Sequence, residues 1–145
     1  MGIRGLLLLA SLLPGYAACK RPTPVVKTTD PRQPLALPVE AQDAVRAEMN
    51  GMLTSIHRIV LALPQGDTAA IRAAAGAAGL ATAADPALEQ LLPEQFLTWG
   101  THTHQGFDAL AASVSAGYER DSVLAHLGRI TQMCVTCHTS YRLGS

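Results

Sequence analysis

Two cysteines and a histidine near the end of the chain form the pattern with the clearest chemistry. Cys134 and Cys137 are separated by Val135 and Thr136, and His138 follows directly. On a helix, the two thiols lie on one face and can each form a thioether with a haem vinyl group, while the adjacent imidazole binds the iron. The motif therefore predicts one covalently attached haem c.

Other uses of the two cysteines fit the chain less well. A thioredoxin-like dithiol normally opens a helix, where the helix dipole lowers the thiol pKa, whereas this motif closes a helix in a chain without predicted strands. A zinc site needs two further ligands, and the sequence has no second CxxC and no HxxxH. A disulfide across one helical turn would restrain little. Haem attachment is the use that we expect.

The first residues resemble an export signal. Arg4 precedes an apolar run over residues 6–13, which is too short to span a bilayer and is followed by small residues. We predict a signal peptide over residues 1–19, with an uncleaved anchor as the alternative. Cys19 follows two alanines and resembles the acylation site of bacterial lipoproteins, although Tyr16 departs from the aliphatic residue usual there. Lipidation at Cys19 would tether the chain to a membrane, and the alternative is ordinary cleavage near Ala18 with Cys19 an unremarkable part of the signal.

The rest of the chain divides into a proline-rich linker and a helical domain. Residues 20–38 carry five prolines with threonine and lysine between them, so we expect them to bury little surface and to hold no helix. Residues 39–145 are rich in alanine and leucine, which favours one all-α domain. Eleven basic residues balance eleven acidic residues, so the chain has no basic field that would recruit nucleic acid.

Four amphipathic segments with short connections predict an antiparallel four-helix bundle. The segments are helix A over residues 39–63, helix B over 68–83, helix C over 93–116 and helix D over 120–142. Asp67 with Thr68 can cap helix B, and Pro93 opens helix C. A short turn is expected around residues 87–91. The apolar stripe of helix A contains Val45, Met49, Met52, Leu53, Ile56, Val60 and Leu63. The CxxCH motif lies late on helix D and points inward.

The end of the chain gives a specific resemblance. A single CxxCH continued as Cys-x-x-Cys-His-x-x-Tyr-Arg, after three predicted helices, resembles the class II cytochromes c, the cytochrome c prime group of four-helix bundles. The resemblance covers residues 39–145, and the terminal motif is its specific part. It implies that Cys134 and Cys137 lie on a C-terminal haem-binding helix and form the thioether links to the haem. It also implies that His138 is the proximal iron ligand.

The resemblance also assigns the surroundings of the haem. It implies that Arg142 is a basic neighbour of the haem and its ligand, and a solvated cation at a helix end is the alternative for this residue. Tyr141 is expected to serve packing. Family members often dimerise through their first two helices, which leaves a homodimer open here. Unidentified redox proteins are the expected partners.

The residue opposite His138 decides between two functions. In this family, low-spin members take a methionine from helix A, whereas high-spin members leave the iron five-coordinate. Met49 is the first choice for this ligand and Met52 the alternative, although either can simply fill the core. His104 on helix C is a further candidate, but a histidine beside a core more often pairs with a carboxylate or carbonyl. A methionine–histidine pair suits electron transfer.

The sequence thus predicts a periplasmic monohaem electron carrier and no enzyme, since no phosphate loop or catalytic set is evident. The alternative is a five-coordinate haem protein that binds NO or CO. A haem-free redox or structural module would require the CxxCH to be accidental.

Overall fold

The computed structural model describes residues 30–83 and 86–144, which are mostly helical. The predicted signal peptide, Cys19 and the first ten residues of the predicted linker lie outside the described residues. In chain order, the elements are β1 (Gln33–Leu35), α1 (Val39–Ala62), α2 (Thr68–Gly76), α3 (Pro86–Glu89), α4 (Glu94–Ala116), α5 (Arg120–Ser140) and β2 (Tyr141–Leu143). The predicted all-α class is therefore confirmed. Within the described ranges, no helix is long and apolar enough to cross a membrane.

Local signals account for the turn between α1 and α2. A short 3₁₀ turn containing Pro64 follows α1, and Gly66 then adopts a left-handed φ of 62°, which residues with a side chain rarely adopt. The Asp67 carboxylate accepts a hydrogen bond from the Ala70 backbone N–H at 2.9 Å. This satisfies one of the free N–H groups at the start of α2, so the predicted cap is confirmed.

The second helix is shorter than the prediction. We expected helix B to continue to residue 83, but α2 ends at Gly76 and a 3₁₀ turn occupies Leu80–Thr82. Gly79 has an extended backbone, and the Leu80 N–H donates to the Asp108 carboxylate of α4 at 3.0 Å. A Cβ atom at position 79 would overlap that carboxylate. The helix therefore gives way to a turn that α4 holds by a side-chain contact.

The main core lies among the four longer helices. Helix α2 packs against α1 and α4, and α4 also packs against α5. The most deeply buried large side chains of this core are Ile59, Ile71, Phe107, Leu110, Val123 and Ile130. Three residues of α2 and the turn after it are buried alanines: Ala74, Ala75 and Ala78. Because their side chains are small, α1 and α4 can approach this segment closely. Helices α4 and α5 also supply the buried side chains of Val114 and Leu127.

The inward face of α1 differs from the prediction in its second half. Val45 is buried as expected, but Leu53 and Val60 are exposed, and Ile59 is fully buried. At about 100° per residue, Ile59 lies about 40° to one side of Val45 around the helix. Leu53 and Val60 lie about 80° and 60° to the other side, past the edge of the buried face.

A smaller core connects the start of the described chain to its end. Leu35 and Leu37 are buried, and the other buried members of this cluster are Val45, Leu88 and Tyr141. The strands β1 and β2 pair in parallel, with Gln33 opposite Tyr141. The expectation that the predicted linker buries little surface is wrong for Leu35 and Leu37, because the C-terminal strand and the adjoining helices give these side chains a place to pack.

The ends of the remaining helices lie within two residues of the prediction. Helix α4 begins at Glu94, directly after Pro93, and α3 falls in the predicted turn before it. Helix α5 ends at Ser140 instead of residue 142. Tyr141 has an extended backbone (φ −123°, ψ 153°) and joins the two-stranded sheet, which stops the helix.

Candidate haem-binding site

The CxxCH motif occupies the last two turns of α5. Cys134 and Cys137 are half-buried and their thiols are free, while His138 is more exposed to solvent. Val135 between the cysteines faces outward. The two thiols therefore lie on the inward side of the helix, and the histidine lies at its margin.

A cleft between α1, α4 and α5 brings this motif together with the two methionines of α1. Its empty volume, which includes open solvent, is about 510 Å³. The apolar part of its wall consists of Val45, Met49, Met52, Phe96, Trp99 and Met133. Cys134, Cys137 and His138 form the wall on the α5 side, and Glu48 and Thr103 are the polar side chains.

Two further spaces adjoin the cleft. Their empty volumes, which include open solvent, are about 750 Å³ and 1160 Å³. Met49 and His138 line the cleft and both adjoining spaces, whereas Met52 lines the cleft and one of them. Both methionines are thus available across the cleft from His138, and Met49 borders every part of it.

Burial raises the pKa of both motif thiols. Desolvation raises the pKa of Cys137 to about 11, with the neighbouring Cys134 as the second cause, and it also raises the pKa of Cys134. A thioredoxin-like dithiol needs the opposite shift, because the thiolate is the reactive form. The environment of these cysteines therefore keeps them protonated near neutral pH and does not favour dithiol redox chemistry.

The two histidine candidates differ in whether their ring nitrogens are engaged. His104 is buried, with Nδ1 2.8 Å from the Ala78 carbonyl oxygen and Nε2 2.7 Å from Glu48 Oε1. The hydrogen bond to Glu48 raises the pKa of His104 against the opposing effect of burial, so the ring can donate from both nitrogens. No hydrogen bond within the described part of the chain occupies the ring of His138. The structure thus does not support His104 as an iron ligand.

Glu48 is a member of the site that the sequence analysis missed. Its carboxylate lines the cleft and holds His104 from α1. The signal was present, because Glu48 lies three residues after Val45 and four before Met52, on the apolar face of a helix. An acidic residue in such a position usually has a buried partner.

The segment before β1 contacts the margin of the site. Arg32 donates to the backbone oxygen of His138 at 3.3 Å and pairs with Asp30 at 2.7 Å. The hydrogen bonds from Arg32 lower the pKa of Asp30 to about 2. Arg142 and Arg32 both line the adjoining space of about 750 Å³. The Nε atom of Arg142 lies 3.9 Å from Asp30 Oδ2. Arg142 lies in β2, two residues beyond the end of α5. Arg32 contacts the C-terminal end of that helix, where positive charge is favourable.

Tyr141 packs against two aromatic residues of the cleft wall. Its ring centroid lies 5.6 Å from that of Phe96 and 5.9 Å from that of Trp99, both in edge-to-face arrangements. Such pairs stabilise a fold beyond the area that they bury. The contacts support a packing role for Tyr141.

The residues around the cleft fit a covalently held haem. The wall is largely apolar, two free thiols lie on one side of it, and the imidazole of His138 is open to a ligand. Within residues 30–83 and 86–144, no group of three or more His, Cys, Asp or Glu side chains is arranged to hold a metal ion. Comparisons with protein-family models, curated proteins and solved structures gave no significant match.

Proposed function

We propose that this chain is a monohaem c-type cytochrome that carries electrons in the periplasm. Cys134 and Cys137 would hold the haem c by thioether bonds, His138 would bind the iron, and Met49 or Met52 would bind it from the other side. The observation that carries the proposal is that one cleft joins the CxxCH of α5 to two methionines of α1.

The chain's own residues suit this task. When bound, the haem supplies a one-electron iron couple. A methionine opposite His138 raises the reduction potential of such a couple. The apolar side chains of Val45, Phe96 and Trp99 limit the access of water, which also influences the potential. The exposure of Val135 and His138 leaves one side of the site near the surface, where a redox protein partner could exchange electrons.

The arrangement of helices and the location belong to the same proposal. We propose that α1, α2, α4 and α5 form an antiparallel four-helix bundle, which the short connections of α1 to α2 and of α4 to α5 support. The chain would be exported by its signal peptide and tethered through a lipid on Cys19. A Cys19→Ala variant should then appear in the soluble fraction, whereas retention in the membrane fraction would argue against the lipid.

Expression of the full chain in a host that attaches haem c tests the central claim. We expect haem that stays on the denatured chain and a c-type pyridine haemochrome spectrum, both lost in Cys134→Ser/Cys137→Ser. His102→Gln, an exposed histidine of α4, is the control and should keep its haem. A chain that never acquires covalent haem would refute the proposal.

The ligand opposite His138 is tested by spectroscopy of the loaded protein. We expect the near-infrared sulfur-to-iron band in the oxidised form and a sharp α band after reduction. Met49→Leu and Met52→Leu, made separately, should identify the ligand, and if neither changes the spectrum the methionine assignment is wrong. A high-spin spectrum with ready CO binding would instead favour the five-coordinate, gas-binding function.

A further inference from the structure

The Glu48–His104 pair connects three parts of the fold beside the cleft. Glu48 lies on α1, His104 on α4, and the Ala78 carbonyl in the turn after α2. The side chain of His104 is 4% exposed and that of Glu48 24%. One imidazole therefore holds all three elements, next to the turn that Asp108 also holds through the Leu80 N–H.

This connection restricts the orientation of the ring. Both nitrogens of His104 face an acceptor, so the ring cannot turn without losing a hydrogen bond in a buried place. Removing either partner would leave the other without one of its hydrogen bonds at a place that water reaches poorly, which is unfavourable. The pair is therefore a fixed point between α1 and α4.

Glu48 lines the same cleft as the two methionines of α1. Met52 lies one turn further along the same face, and Met49 is the next residue in the chain. Met49 and Met52 lie about 60° apart around the helix, so the rotation of α1 about its axis decides how each thioether is aimed into the cleft. The hydrogen bond between Glu48 and His104 fixes the orientation of α1 about its own axis, with the methionines facing His138.

We propose that the Glu48–His104 pair is a positioning element that holds the thioethers of Met49 and Met52 toward His138. This inference rests on the proposed function, because it concerns the ligand opposite His138. Neither Glu48 nor His104 is assigned a bond to the iron. They act through the orientation of α1.

The test uses the full chain loaded with haem, well below its unfolding temperature. We expect Glu48→Ala and His104→Gln each to weaken the sulfur-to-iron band of the oxidised form. Each should also raise the CO affinity of the reduced form about tenfold, which is the factor expected when the fraction with methionine off the iron rises from about 1% to about 10%. Glu40→Ala and His102→Gln, exposed residues on the same two helices, are the matched controls and should change neither readout.

A core variant separates positioning from general stability. Ile71→Val removes a methyl group from the main core, away from the cleft lining, and should keep the band and the CO affinity of the parent. The inference is wrong if Glu48→Ala and His104→Gln behave like the parent, or if Ile71→Val weakens the band as much at a similar loss of unfolding free energy. If His104→Gln does not fold, Glu48→Ala decides alone, because its side chain is partly exposed.

The outcome also distinguishes this inference from the function on which it rests. A parent protein without covalent haem, or without the sulfur-to-iron band, overturns the electron-carrier proposal and this inference together. A parent with the band and variants that do not respond overturns only the positioning role.

Discussion

Truncation of Leu35 to alanine tests whether the segment before α1 belongs to the folded domain. Leu35 is 4% exposed in the smaller core, whereas Val39 at the start of α1 is 66% exposed. If residues 30–38 were a solvated linker, Leu35→Ala and Val39→Ala would have similarly small effects. The structure instead predicts that the two truncations, four residues apart, differ greatly in their effect on the free energy of unfolding.

The size of the effect follows from burial. Replacing a buried leucine with alanine costs about 2–5 kcal/mol, depending on how far the neighbours close the gap. Leu35 lies in a three-residue strand, and its partly buried neighbours Phe96, Trp99 and Leu143 can move toward the gap. We therefore expect about 2–3 kcal/mol, the lower half of that range, which is a factor of about 30–150 in the unfolding equilibrium. Val39→Ala should change the free energy of unfolding by less than about 0.5 kcal/mol.

Urea unfolding followed by far-ultraviolet circular dichroism measures both variants. The midpoint should fall for Leu35→Ala while the slope stays that of the parent, since a change of slope would mean a different amount of exposed surface. The reasoning is refuted if the unfolding free energies of Leu35→Ala and Val39→Ala agree within about 0.5 kcal/mol, the usual range for surface substitutions.

Two other predictions concern the stability of the main fold. The hydrogen bond from Glu48 raises the pKa of His104 above its ordinary value of 6.5, so the pair stabilises the fold fully below that pH and less as the pH rises through the folded-state pKa. The urea midpoint of the parent should therefore fall more with rising pH than that of His104→Gln, and parallel profiles would contradict this. Gly79→Ala should lower the free energy of thermal unfolding by about 0.5–1.5 kcal/mol, because its Cβ would displace the Asp108 carboxylate from its hydrogen bond. Gly76→Ala, with open space around it, should be neutral or stabilising by up to about 1 kcal/mol, and equal effects of the two would refute the argument.

Local signals in the sequence were sufficient for most helix boundaries. The prolines and Gly66 separate α1 from α2, and Asp67 caps α2, because these effects depend on residues within one turn of each other. The periodicity of apolar residues likewise predicted the extent of α4 and most of α5. Helix B was predicted too long: α2 ends at Gly76, and the turn after it is held by Asp108, which lies 28 residues after Leu80.

The sequence alone also predicts which residues would hold the proposed haem, since the CxxCH pattern requires only neighbours on one helix. Only the tertiary structure decided what surrounds them. It placed Met49 and Met52 in one cleft with His138, and it engaged His104 with Glu48, 56 residues away. It also packed Leu35 against the end of the chain. The physical reason is that burial and hydrogen bonding depend on partners distant in the chain, whereas helix formation and motif spacing depend on adjacent residues.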